Sequence, residues 1–138
     1  MKTYRFIDIH VGLSESFSVT VTPQMVDTFV ELSGDRNTMH TDKSFALAYG
    51  FPDRLVHGML TASFISRLVG MYLPGKFALF QEVSLSFIAP VYPGDTLTVK
   101  GEVVAIHEVY RQIEIKASIT NQHGKKVSRA KIRTGINE

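Results

Sequence analysis

The chain has 138 residues, with 15 Lys and Arg against 13 Asp and Glu, a formal net charge of +2 and no cysteine. That length supports one domain, residues 1–138, with a core of its own, and the missing cysteines exclude a disulfide framework, a thiolate nucleophile and a cysteine-built metal site. The charge is too small to imply nucleic acid, the charged start M-K-T-Y-R-F-I-D-I-H lacks a signal peptide's apolar centre, and no apolar run approaches the roughly 18 residues of a membrane span; a soluble cytoplasmic protein without nucleic-acid or membrane partners is expected.

Along the chain, Gly12-Leu13-Ser14 predicts a turn, and Phe17-Ser18-Val19-Thr20-Val21 alternates as a short strand does. Thr22 before Pro23 couples a cap hydroxyl to proline at the first helical position, so a helix begins there. Met25, Phe29 and Leu32 form its apolar stripe, with Val26 and Val30 beside it, and Gly34 ends it. A carboxylate, Asp35, and an imidazole, His40, then stand five residues apart. On a continuous helix they would point about 140° away from each other. Ser33-Gly34 and Asn37 favour a loop instead, which can curl both side chains toward one point. Thr41 or Asp42 can cap a second helix, from about Lys43 to Tyr49, stopped by Gly50. The two helices bracket the loop.

The longest helical segment runs from Gly58 to about Tyr72 and is ended by Leu73-Pro74-Gly75. Its apolar residues cover nearly every side, and a helix of that kind must be wrapped by the rest of the chain. Phe77–Ile88 can wrap it, with Phe77, Leu79, Val83, Leu85 and Phe87 on one face and Glu82, Ser84 and Ser86 on the other. Leu97–Ile106 and Val109–Ile119 read as further strands, preceded by the turn Pro93-Gly94-Asp95 and followed by His123-Gly124. In Lys125–Thr134, Val127 falls on odd positions but Ala130 and Ile132 on even ones, which predicts a bulge near Ser128-Arg129. The sum is an α+β fold, a long antiparallel sheet curled around one buried helix.

Ser33-Gly34-Asp35-Arg36-Asn37-Thr38-Met39-His40, Phe45-Ala46, His57-Gly58-Met59-Leu60, Leu73-Pro74-Gly75-Lys76, Ser84-Leu85-Ser86-Phe87 and Pro90-Val91-Tyr92-Pro93-Gly94-Asp95 occur in that order. Together they resemble the MaoC-like dehydratases, and within them the single-domain (R)-specific enoyl-CoA hydratases. One departure is Thr38, where the family usually has proline, a residue that would pre-set the backbone of the loop. The resemblance implies a hot-dog fold and the reversible hydration of trans-2-enoyl-CoA to (R)-3-hydroxyacyl-CoA.

In that chemistry Asp35 would activate a water and His40 would orient it and return a proton. A backbone N–H at Gly58 would meet the thioester oxygen at a helix start. A normal aspartate is a feeble base, so the site should be dry. Each residue also has a plainer reading. Asp35 can cap its own turn and His40 can serve as a structural hydrogen-bonder. Asn37 is read as shaping the loop and His57 as orienting the helix start. For Ser66 two readings stand, a bond to His40 or Asp35 and a bond to its own helix backbone.

His10, His107 and His123 fall at termini or turns and are expected in solvent, and no ligand spacing points to a metal. No cofactor is expected, coenzyme A or an acyl carrier's phosphopantetheine arriving as part of the substrate. Arg129, Lys131 and Arg133 are read as a solvated face before a phosphate site. The resemblance implies a homodimer, or a dimer of dimers, joined through the sheets. The competing classes are a hot-dog thioesterase acting on acyl-CoA or an acyl carrier, and a non-catalytic acyl-thioester-binding subunit. Gly58–Tyr72 holds no Asp or Glu to serve the first.

Overall fold

The cap chemistry of the sequence sets the first helix. In the computed structural model, which describes residues 1–138, α1 spans Pro23–Ser33. Thr22 accepts a hydrogen bond from the Met25 amide at 3.1 Å, Pro23 fills the first turn, and Gly34 closes the helix with a φ of 74°. Two short helices follow, α2 (Thr38–Thr41) and α3 (Lys43–Ala48). The central helix α4 (Gly58–Arg67) runs on into a π-helical stretch, Leu68–Tyr72.

Five strands, β1 (Ser14–Thr20), β2 (Ala78–Phe87), β3 (Thr96–His107), β4 (Gln112–Thr120) and β5 (Lys126–Ile136), form one antiparallel sheet in the order β1-β3-β4-β5-β2. The inward residues of β3, β4 and β5 join Leu60, Phe64, Ile65, Leu68 and Val69 in one core cluster of 23 residues. This is the sheet around a helix expected from the sequence, in the hot-dog arrangement that the family resemblance implies. The sheet comes close to the helical segment at Gly101 on β3, where an added Cβ would lie 2.7 Å from Leu68 Cδ2 and 3.1 Å from Ile115 Cγ2. No helix is long and apolar enough to cross a membrane.

Several expectations are corrected. On α1 the buried side chains are Val26 and Val30, whereas Leu32 is 80% exposed. The second hairpin strand starts at Gln112, not Val109. Glu108–Tyr110 form the turn and Arg111 takes a φ of 51°, so Val109 and Tyr110 are strand-forming residues in a turn. The bulge on β5 falls at Val127, since Ile119 pairs with Ser128 and Thr120 with Lys126. Two more, at Gln81 and Val104, carried no parity signal strong enough to read. The wrap is also incomplete. β2 is an edge strand with Leu79, Phe80, Val83 and Phe87 exposed, and Met59 and Met71 on the helical segment are exposed too.

The close approach at Gly101 gives a test of the packing. Gly101→Ala should destabilise the protein by about 1–3 kcal/mol through overpacking against Leu68. A urea midpoint unchanged from wild type would show that the sheet can yield there.

Candidate active site

The region between α1 and α2 is built by short side chains that replace missing backbone partners. Ser33 Oγ donates to the Phe29 carbonyl at 2.7 Å and accepts the Asp35 amide at 3.1 Å. Asp35 Oδ1 accepts the Asn37 amide at 3.1 Å, and Asn37 Oδ1 accepts the Met39 amide at 2.9 Å, capping α2. The loop expected between Asp35 and His40 therefore contains a helical turn, with His40 on it. Asn37 has the structural role read for it. The two readings of Asp35 coexist, because Oδ1 closes the turn and leaves Oδ2 free.

The segment Asp53–His57 then runs alongside α2. The Leu55 amide donates to the Met39 carbonyl at 3.0 Å, and His40 Nδ1 donates to the Leu55 carbonyl at 2.8 Å. Arg54, which the sequence did not single out, donates to Asp27 at 2.6 Å and to the carbonyls of His40 at 3.3 Å and Pro23 at 3.2 Å. It thereby ties α1 to α2.

The result is a convergence of Asp35, His40 and His57, whose ligand-type atoms lie within 4.8 Å of one another. Asp35 Oδ2 stands 4.0 Å from His40 Nε2. That is too long for a direct hydrogen bond and short enough for one water to touch both. The spacing could also suggest a cation. However, His57 Nε2 lies 3.0 Å from the Asp35 carbonyl, which can only accept, so this nitrogen carries a proton and offers no lone pair. Asp35 and His40 are left as the pair whose free atoms face each other, and one water fits the gap between them.

His40 lines a cleft of about 390 Å³ with Leu55, Gly58, Thr61, Phe87 and Ser128. The Gly58 amide, at the first position of α4, has no acceptor within the chain, as helix starts leave donors free. A Cβ on Gly58 would come within 3.1 Å of the Phe87 ring, a contact tight enough that the ring would have to move aside. Asp35 is not among the residues lining this cleft, and its side chain is 51% exposed against 18% for His40. The dry surroundings expected for the acid are absent from the single chain.

Ser66 corrects the sequence reading. It is exposed on α4 and makes neither of the bonds read for it, to His40 or Asp35 or to its own helix backbone. Two buried hydroxyls line the cleft, Thr61 and Ser128, and Thr61 Oγ1 has no hydrogen-bond partner. Thr61 shares the buried stripe of Ile65 and Leu68, and a hydroxyl in an apolar stripe is the signal that could have found it.

With fold and site in view, the relatives can be compared. Residues 9–126 match the family described as MaoC like domain. This chain belongs to the MaoC-like family. A 3-hydroxybutyryl-CoA dehydratase of Methylorubrum extorquens is 38% identical to this MaoC-like chain over 106 residues, covering 77% of it and 68% of the relative. An (R)-specific enoyl-CoA hydratase of Aeromonas caviae is 41% identical over 100 residues, covering 72% of this chain and 75% of that one. Among solved structures, an unliganded R-hydratase from Pseudomonas aeruginosa superposes with a TM-score of 0.92 at 28% identity, over 97% of this chain and 86% of that one. By name these relatives are hydro-lyases, the enzyme class expected from the sequence.

Arg54 is testable through stability. Arg54→Ala should cost roughly 1.5–3 kcal/mol, because it removes a charged donor from three acceptors at once. Arg54→Lys should recover little, since an ammonium cannot reproduce the planar fork. Denaturation midpoints at unchanged m-value report both.

Proposed function

We propose that this MaoC-like protein is a hydro-lyase that reversibly adds water across the double bond of a trans-2-enoyl-CoA, giving the (R)-3-hydroxyacyl-CoA. One observation carries the reading. Asp35 Oδ2 and His40 Nε2 face each other across 4.0 Å while His40 lines the cleft that holds the unbonded Gly58 amide. The names of the relatives support the same pair of reactions, hydration and dehydration of acyl-CoA.

In this reading one water lies between carboxylate and imidazole. Asp35 takes a proton from it as the oxygen bonds to C3, and the π electrons of C2–C3 move toward the thioester oxygen. The Gly58 N–H stabilises the resulting enolate, a donor worth about 2.7–4 kcal/mol of barrier in comparable sites. The imidazolium of His40 gives its Nε2 proton to C2 as the carbonyl re-forms. Asp35 then holds a proton that His40 lacks, and the next water relays it back. Since Nδ1 is committed to the Leu55 carbonyl, Nε2 alone can carry the moving proton. No cofactor is needed; coenzyme A, or a carrier's phosphopantetheine, enters as part of the substrate. A thioesterase would need an acid on the central helix, and α4 has none.

A second copy completes the site. A carboxylate in water is a weak base, and only shielding strengthens it. The free edge of β2, with its exposed apolar residues, adjoins the cleft through Phe87. Such an edge invites pairing with another strand, and joining two copies there gives a homodimer and covers the open side of the cleft.

Two experiments test this. Purified protein should bleach the conjugated-enoyl absorbance of crotonyl-CoA, and Asp35→Asn or His40→Gln should each lose about 10²–10⁴-fold in kcat. Wild-type turnover in either variant would remove that residue from the mechanism. Val83→Glu, placing a charge mid-edge on β2, should sediment as a monomer and lose turnover. A fully active monomer would sink the role of the second copy.

A further inference from the structure

We infer that His57 is a positioning residue, a neutral imidazole protonated only at Nε2 that holds both halves of the acid/base pair in register. This inference rests on the hydratase reading of the site and assigns a part that the reaction scheme does not use. The ring is 2% exposed and does not line the cleft, so it touches no substrate.

Its contacts fix its proton. Nε2 lies 3.0 Å from the Asp35 carbonyl oxygen, which has no proton to give, so His57 is the donor. Nδ1 is buried and has no hydrogen-bond partner. A proton moved to Nδ1 would leave two lone pairs opposed at Nε2 and a sealed donor without an acceptor. A second proton would place a full charge against His40, whose ring stacks on His57 at 3.8 Å and 26°. Phe29 of α1 packs on the ring as well, at 4.8 Å, and offers no counter-charge. Asp35 and His40 are thus the titratable groups against it, and the first reaches it through its main chain.

The consequence is geometric. The Nε2–H bond holds the main chain of Asp35, and the stack holds the plane of His40. The Leu55 carbonyl fixes the rotation of His40 within that plane. His57 is also the residue before Gly58, and its own carbonyl accepts from Leu60 at 3.1 Å and Thr61 at 3.2 Å in the first turn of α4. One residue therefore ties acid, imidazole and amide donor to a common frame.

The test combines spectroscopy with kinetics. Long-range ¹H–¹⁵N correlation on ¹⁵N-histidine-labelled wild-type protein at neutral pH should show five rings, one of them an Nε2–H tautomer that vanishes in His57→Gln. His57→Phe keeps a plate and loses the donor, and should lower kcat for crotonyl-CoA about 10- to 100-fold with KM within about twofold. His57→Gln, which keeps an N–H able to reach the Asp35 carbonyl, should recover part of that loss. An Nδ1–H or doubly protonated His57 would overturn the inference, as would wild-type kcat in both variants or a loss confined to KM. Should neither variant fold, slow exchange of one ring proton with solvent, expected only of the buried ring, assigns the wild-type signal to His57 and so decides the tautomer. A wild-type protein inert toward every enoyl thioester would instead sink the hydratase reading, a result distinct from any of these.

Discussion

The site depends on how the strip of chain before α4 lies against α2. Leu55 is bonded from both sides by one short turn, its amide to Met39 and its carbonyl to the His40 ring. Both bonds join segments some fifteen residues apart, so they tie the strip before α4 to α2 rather than closing a local turn. Val56, whose amide bonds to the Val91 carbonyl at 2.8 Å, links that strip to the segment leading into β3. A backbone held at both ends fixes where the His40 imidazole meets its carbonyl partner, and the His57 ring stacked on it at 3.8 Å fixes its plane. Val56 is also part of the core cluster that buries α4, so the burial that stabilises the helix also holds the strip that orients His40.

The sheet leaves one side open, and the cleft lined by His40 and Gly58 lies on that side. β1 and β2 are its two edges. β1 carries paired hydroxyls toward β3, Ser18 with Thr98 and Thr20 with Thr96, a polar finish suited to solvent. β2 carries Leu79, Phe80, Val83 and Phe87 instead, and Phe87 also packs over Gly58. An apolar edge beside a half-open cleft is unfavourable in isolation. Association would relieve both costs at once, which is why the exposure of Asp35 reads as a property of the single chain.

Where the sequence was legible, the cause was local. Thr22, Gly34 and Asp42 act through their own backbone neighbourhoods, and each caps or ends the element expected of it. Alternation gave the strands of β3, β4 and β5 and the bulge in the last to within a residue. The errors share a different origin. Periodicity said that the central helix is apolar all round but not which side meets the α1–α2 region. Ser66 sits about 80° around the helix from Gly58, and Thr61 about 60° the other way. Only the tertiary placement of Asp35 and His40 decides between them, and it chose the side of Thr61. Leu32, Val109 and the outward face of β2 failed likewise, since an apolar residue shows its type but not its partner. At four residues, α2 is too short to leave a periodic trace.

Thr38, in place of the family's usual proline, put the rigidity of the loop in question, and the structure gives a physical answer. Thr38 is the first residue of α2, a position whose amide has no helical acceptor, and it donates to nothing here. Proline there would sacrifice no bond and would pre-set φ, a gain of about 0.4–1 kcal/mol taken mostly from the unfolded chain. The side chains around Thr38 do comparable work from the folded side. Asp35 Oδ1 holds the Asn37 amide, Asn37 Oδ1 holds the Met39 amide, and Thr41 Oγ1 donates to the Asn37 carbonyl at 3.3 Å. Three hydrogen bonds at a net of roughly 0.5–1.5 kcal/mol each exceed what the missing ring would supply. The turn that presents His40 is thus pinned by its own polar side chains, and one of those pins is an oxygen of Asp35, the carboxylate proposed as the base.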